Sequence, residues 1–405
     1  MKLISKIVKK VAYAVFKVIP VNRKLILFES HDDFTDSTYE MYKFITNNKK
    51  NYKCVWLIER KNRQYVRKYN IVKYVVMDRF SFKSFWYISR CHYNIYTHRN
   101  YFVHFMGLKK NLFFINVFHA SPFKRVSDFL YDNRDKNSFI VTPTQFIKEL
   151  ITKVYSAREN QFIVNGFPRN DILLEKKKTE ESILAESFFN LIDFDQTILC
   201  MTTWRRNLQF TKDFFADFPL KMSNDNLIQL NEKLKQLNTQ IIFKLHPMQK
   251  HKDLDKYLHF SNLKFVDNAF LLEHQVELYS LLRLSDALIT DYSSVALDYL
   301  LINKPIGYIL TDLETFKNDP VEGFVFEDPT EHMPGMQIYE LKDFFQFLED
   351  VHAKKDVYLD SRRRVNVLFN DLRTVGYSKG LIEKVEALSN NVEASQRKSK
   401  QPDKR

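Results

Sequence analysis

A chain of 405 residues is too long for one ordinary core and suits two domains of roughly 200 residues each. Hydrophobic residues at 45% and aromatics at 15% supply apolar area along most of the length and exclude wholesale disorder. Lys and Arg number 62 against 49 Asp and Glu, a net charge of +13 that favours anionic partners without choosing among phosphates, lipid headgroups and nucleic acid.

Residues 1–20 place Ile4, Ile7, Val8, Val11, Val15 and Val18 at helical spacing, with Lys2, Lys6, Lys9, Lys10 and Lys17 on the other side and Pro20 at the end. The lysines make a poor membrane span and no small-residue cleavage site follows. The expectation is an amphipathic helix lying on an anionic bilayer; the alternative is a first helix docked on the protein's own core.

From Arg23 to about Asn165, apolar β-rich runs alternate with helical patterns. The runs are Leu25–Phe28, Cys54–Ile58, Ile71–Val76, His92–Tyr96, Leu112–Val117, Phe139–Val141 and Phe162–Val164. A lysine-rich stretch at Glu175–Glu181 breaks the rhythm, and strands resume at Thr197–Met201, Gln240–Leu245, Leu263–Val266, Ala287–Thr290 and Pro305–Ile309. Strands alternating with helices predict α/β domains with parallel sheets, divided near residues 175–192. Three helices follow, at Leu341–Val351, Tyr358–Phe369 and Ser378–Leu388, of a kind that can close back over the first domain. Asn390–Arg405 is polar and without aromatics, which predicts a disordered basic tail. The expected domains are therefore 1–20, 21–180, 181–389 and the tail 390–405. Cys54, Cys91 and Cys200 each sit in an apolar run with no CxxC pair, which argues against disulfides and zinc and for buried thiols in a reducing compartment.

Polar groups gather where strands end. Asp291-Tyr292-Ser293-Ser294 lies between the strand Ala287–Thr290 and the helical run Val295–Leu301, so the Ser293 and Ser294 hydroxyls and free backbone N–H groups stand where a phosphate would sit. A plain serine N-cap is the simpler explanation of that motif taken alone. Lys244-Leu245-His246-Pro247 ends another core strand, and a cation with an imidazole there can hold a diphosphate. For a solitary His246 a packing role is the commoner one, and the strand-end Lys beside it reverses that.

His119-Ala120-Ser121-Pro122-Phe123-Lys124-Arg125 ends the strand Leu112–Val117, and an imidazole, which ordinarily titrates near neutrality, suits a general base on an alcohol; helix capping or packing is the competing role. Gly166-Phe167-Pro168-Arg169-Asn170-Asp171 has turn chemistry and an arginine, either a loop beside an anionic ligand or an ordinary turn with a surface Arg169. Thr202-Thr203-Trp204-Arg205-Arg206 puts Arg205 at a strand end, where it can neutralise a transferring phosphoryl group. No GxGxxG, Walker loop or HExxH occurs, and Asp193-Phe194-Asp195 precedes a strand and reads as a solvated turn, so no metal is implied. No nucleic-acid module is recognisable, which sets aside a basic nucleic-acid-binding protein.

In this order, Phe28-Glu29-Ser30, His119–Lys124, Gly166–Asp171, Thr203-Trp204-Arg205, Lys244–Pro247 and Ile289–Leu301 with Lys304-Pro305 resemble the CDP-glycerol glycerophosphotransferase family of teichoic-acid primases and polymerases, over roughly residues 20–388. Two departures stand out: Ala120-Ser121 where the family usually has Gly-Thr, and Glu322-Gly323 where an Arg commonly precedes the glycine, which leaves the polyol open. The resemblance implies two Rossmann-like lobes of the GT-B type, a CDP-polyol donor held in the second lobe, a lipid-linked polymer acceptor, and peripheral attachment to the cytoplasmic face of the membrane. His119 matches the family's candidate base for the acceptor hydroxyl, while His246, Ser293 and Ser294 match positions associated with the donor diphosphate. Local chemistry adds Arg205, Lys244 and Asp291 to the donor side and Ser121, Lys124 and Arg169 as supporting residues. No cofactor is expected, and the oligomeric state is open, a homo-oligomer included. A GT-B glycosyltransferase using a nucleotide sugar is the alternative, since the same lobes would serve it.

Overall fold

The protein is described from a computed structural model covering residues 11–49, 51–76, 81–97, 109–119, 121–125, 138–154, 157–177, 179–203, 215, 218–245, 254–319, 323–372 and 376–398. The chain forms two compact units. The first holds residues 1–119, 128–171 and 373–405, the second residues 120–127 and 172–372. The expected boundary near 175–192 lies a few residues beyond the observed division. Two segments, 120–127 and 373–405, also join the unit opposite to the one their sequence position suggests.

The first unit is a parallel sheet of β1 (Leu25–Glu29), β2 (Lys53–Ile58), β3 (Tyr74–Val76), β4 (Tyr93–Tyr96), β5 (Phe113–Asn116), β6 (Phe139–Thr142) and β7 (Phe162–Val164), in the order β3-β2-β1-β4-β5-β6-β7. These strands are apolar runs because helices and loops cover both faces. On one face Leu25, Leu27, Val55, Leu57 and Val75 pack with Ile88 and Phe16. On the other, Phe28 and Trp56 meet Tyr42 of the helix Asp36–Asn48, with ring centroids 5.4 and 5.8 Å away. The expected strand Ile71–Val76 shortens to Tyr74–Val76, an edge strand paired only where it runs beside Trp56–Ile58.

The second sheet contains β8 (Gln196–Met201), β9 (Thr239–Lys244), β10 (Leu263–Val266), β11 (Ala287–Thr290), β12 (Ile306–Ile309) and β13 (Met336–Ile338), again parallel, ordered β10-β9-β8-β11-β12-β13. Its core joins Ile198, Ile241, Phe243 and Ile289 to Leu227, Leu230, Phe344 and Leu348 from flanking helices. β13 was not expected from the sequence: it is three residues long and follows Gly335, where a Cβ would lie 2.1 Å from the Ile306 carbonyl oxygen. Only a glycine lets the chain approach β12 this closely.

Both ends of the chain depart from expectation in part. Residues 11–18 are helical and dock through fully buried Phe16, while Val11, Val15 and Val18 remain exposed; residues 1–10 lie outside the described residues. The tail is not disordered from residue 390, because the helix Tyr377–Lys398 continues through it; residues 399–405 lie outside the described residues. Polar residues along this helix have partners that composition does not reveal: Ser389 Oγ is 2.8 Å from the Tyr93 hydroxyl, Tyr52 donates to Glu386 at 2.8 Å, and Glu393 pairs with Arg23. The three cysteines are free, Cys91 and Cys200 buried and Cys54 half-buried. Among the described residues no helix is long and apolar enough to cross a membrane. A chain ending at Leu388 loses the Ser389 and Glu393 contacts, and its urea unfolding is expected to show a loss of about 1–3 kcal/mol against the full chain.

Candidate functional site

In a parallel sheet every strand delivers its following loop to the same edge, and ligands of such folds bind at the carboxyl ends of the strands. In the first unit His119 lies three residues beyond β5, between the ends of β4 and β6 in the sheet order, and its side chain is exposed. Val117 N–H still pairs with the Tyr96 carbonyl at 2.9 Å, and then Phe118 takes a left-handed φ of 47°, which turns the chain out of the sheet. Asn116 Oδ1 accepts the Phe118 N–H at 3.0 Å.

Arg169 has a fully buried side chain, so it is not a surface arginine. Its guanidinium donates to Asp36 Oδ1 at 3.1 Å and to the Phe118 carbonyl at 3.2 Å, and it lies over the Phe167 ring at 4.3 Å. The same loop closes on the terminal helix. Gly166 packs against Tyr377, whose ring would be 2.0 Å from a Cβ, and Asp171 accepts the N–H groups of Gly376, Tyr377 and Ser378 at 2.8, 2.8 and 2.9 Å. Asp36, Asn116 and Asp171 were given no role from sequence; the partners of Asp36 and Asp171 lie far along the chain, and Asn116 meets Phe118 two residues on.

In the second unit three adjacent strands, β9, β8 and β11, end in the Lys244, Thr203 and Asp291 segments. Asp291 is buried and its carboxylate accepts the Thr203 N–H at 2.8 and 2.9 Å and the Thr203 hydroxyl at 2.8 Å, tying the end of β11 to that of β8. Ser293 and Ser294 are half-buried and lead into the helix Val295–Tyr299, which is anchored by Asp298 accepting the Tyr279 hydroxyl at 2.6 Å. Lys244 is buried, with its ammonium on the Leu245 carbonyl at 2.9 Å and on Asn268. His246 and Arg205 lie outside the described residues.

The heptapeptide that begins at His119 divides between the units. His119 belongs to the first, and Ser121–Arg125 to the second, where Lys124 bridges Phe324 and Arg125 N–H donates to the Gly323 carbonyl at 2.9 Å. The Phe324 ring in turn lies 5.1 Å from Tyr292, so Lys124 and the Asp291–Ser294 turn share one neighbourhood. Ser121 is buried and its hydroxyl has no hydrogen-bond partner among the described residues. Among the described residues no group of three His, Cys, Asp or Glu is arranged to hold a metal.

The loop leaving β1 holds a buried carboxyl. Asp33 Oδ2 accepts the Glu59 N–H at 2.8 Å and Asn62 Nδ2 at 2.9 Å, yet desolvation dominates and raises its pKa from 3.8 to about 7. The folded state therefore holds this proton more tightly than the unfolded chain. The associated stability is complete below about pH 4 and is lost as pH rises through about 7. Asp33→Asn can keep both hydrogen bonds and has no proton to lose. Denaturation midpoints of the parent are expected to fall relative to this variant between about pH 4 and pH 7.

The chain matches the family described as CDP-Glycerol:Poly(glycerophosphate) glycerophosphotransferase over residues 11–386. The teichoic acid poly(glycerol phosphate) polymerase of Bacillus spizizenii is 25% identical over 375 residues, 86% of this chain and 88% of that protein. The teichoic acid glycerol-phosphate transferase of Staphylococcus aureus is 21% identical, covering 89% of this chain and 92% of that protein. Against the teichoic acid poly(glycerol phosphate) polymerase of Bacillus subtilis the chain spans 48% of the relative's length at 23% identity. In fold it resembles the solved wall teichoic acid polymerase TagF, with a TM-score of 0.74 and 19% identity over 96% of both chains. The two parallel-sheet α/β units are thus those of a TagF-like GT-B fold.

Proposed function

The chain belongs to the CDP-glycerol:poly(glycerophosphate) glycerophosphotransferase family, and from that premise we propose that it transfers glycerol phosphate from CDP-glycerol to the end of a lipid-linked teichoic-acid-like or capsular polymer, releasing CMP. The observation that carries the reading for this chain's own residues is the exposed His119 imidazole at the carboxyl end of β5.

In this reading His119 takes the proton from a terminal hydroxyl of the acceptor, and the resulting alkoxide attacks the distal phosphorus of the donor in line, breaking its bond to the bridging oxygen. CMP leaves with that oxygen and its electron pair. Ser293, Ser294, Lys244, His246 and Arg205 serve the leaving phosphate of CMP, each well-placed donor contributing about 3 kcal/mol in the transition state. Asp291 acts on the donor side through its hold on the Thr203 N–H and hydroxyl at the end of β8. Lys124 and Ser121 support the same neighbourhood from the strand-like segment paired with Phe324.

His119→Ala is expected to abolish transfer while leaving titrated CMP and CDP affinity within about twofold, and His246→Ala to weaken that affinity about tenfold or more. Normal turnover in both variants would remove the assignment. Offered CDP-glycerol, CDP-ribitol and UDP-sugars side by side, the enzyme should release CMP from CDP-glycerol and no UDP; UDP release would favour nucleotide-sugar transfer.

The same reading includes attachment to the cytoplasmic face of an anionic membrane. What supports it is the helix at residues 11–18, where Val11, Val15 and Val18 are 58%, 40% and 79% exposed and one turn apart. The net charge of +13 suits both anionic lipid and a polyanionic polymer. Replacing these three valines by Asp spares buried Phe16 and should move the enzyme from the pellet to the supernatant when it is sedimented with anionic vesicles. Unchanged pelleting would end that part of the proposal.

A further inference from the structure

We infer that Arg169 is a positioning residue for His119, acting through the peptide group that joins Phe118 to His119. Orientation of that peptide decides where the His119 Cα–Cβ bond points, because the Phe118 carbonyl lies in the same rigid plane as the His119 nitrogen. Regular β5 pairing stops at Asn116, two residues before this peptide begins. A phenylalanine at a φ of 47° is also in a region that bulky L-residues seldom occupy unless their surroundings impose it.

The surroundings of Phe118 do impose it, from both sides. Asn116 Oδ1 accepts the Phe118 N–H at 3.0 Å, and Arg169 Nη1 donates to the Phe118 carbonyl at 3.2 Å. The Phe118 ring is itself buried, which resists rotation of the residue as a whole. The guanidinium is in turn immobilised by Asp36 Oδ1 at 3.1 Å and by the Phe167 ring at 4.3 Å, and its side chain is fully buried. A buried arginine is stable only when paired in this way, so the ion pair and the carbonyl contact form one unit. An exposed imidazole one residue beyond it is thus carried on a backbone that cannot drift. Pre-organised orientation of a base is worth large factors in rate, and a displacement of about 1 Å can cost about 100-fold.

This inference rests on His119 being the base, and the experiment separates the two. Steady-state kcat and donor KM are measured for the parent, His119→Ala, Arg169→Lys and Asn116→Ala, each checked for parental melting behaviour. Lysine retains a cation for Asp36 but lacks the fork that reaches Asp36 and the carbonyl together. Arg169→Lys is expected to lower kcat about 10- to 100-fold with donor KM changed less than twofold. Asn116→Ala, which frees the opposite side of Phe118 and leaves the guanidinium in place, should show the same split, and it decides the matter if Arg169→Lys does not fold.

A kcat within twofold of the parent, or a loss that resides in donor KM, overturns the positioning role. If His119→Ala itself turns over normally, the base assignment fails first. If His119→Ala is inactive while the other two variants are fully active, only the inference about Arg169 fails.

Discussion

Loops leaving the carboxyl edge of a parallel sheet carry backbone N–H and C=O groups that no neighbouring strand can satisfy, and leaving them unpaired in a buried setting is costly. This protein answers with buried or half-buried charged side chains aimed at loop backbone. Asp291 brackets Thr203, Asp171 collects three consecutive N–H groups at the start of the last helix, and Arg169 holds the Phe118 carbonyl. Each is a charge-assisted hydrogen bond, stronger than its neutral counterpart and directional. The two sheets supply the edges, and these side chains convert loose loops at the edges into fixed ones.

That division of labour accounts for what could be read in the sequence. The strands were legible because helices cover both faces of each sheet, so runs such as Cys54–Ile58 and Ala287–Thr290 are almost uniformly apolar. Boundaries moved by one to three residues where pairing, not composition, decides the end, as at Leu112–Val117, which pairs regularly only over Phe113–Asn116. Position at a strand end also singled out His119, which the fold places as an exposed group after β5.

What the sequence withheld were contacts created by topology. Arg169 finds Asp36 and Phe118 at separations of 133 and 51 residues, and no local pattern distinguishes it from an arginine on an open turn. The end of the last helix failed the compositional test for order because the residues from Asn390 on are polar and lack aromatics, yet the helix continues there and Glu393 pairs with Arg23. Lys244 and Asp291, read as donor-side groups, also make bonds within the protein that fasten neighbouring segments together. Strand-end polarity therefore points to one edge of each sheet but does not separate residues that would touch substrate from residues that hold loops in place.

The proposed transfer is a single direct displacement, with the His119 imidazole acting as a base and never as a nucleophile. The stereochemical course at the transferred phosphorus reports this without any assumption about individual affinities. With CDP-glycerol made chiral at its distal phosphorus by isotopic oxygen, one in-line attack by the acceptor hydroxyl yields polymer of inverted configuration. Retention would mean two successive displacements through a covalent phosphoryl-enzyme, and would contradict a purely basic role for the imidazole that follows β5.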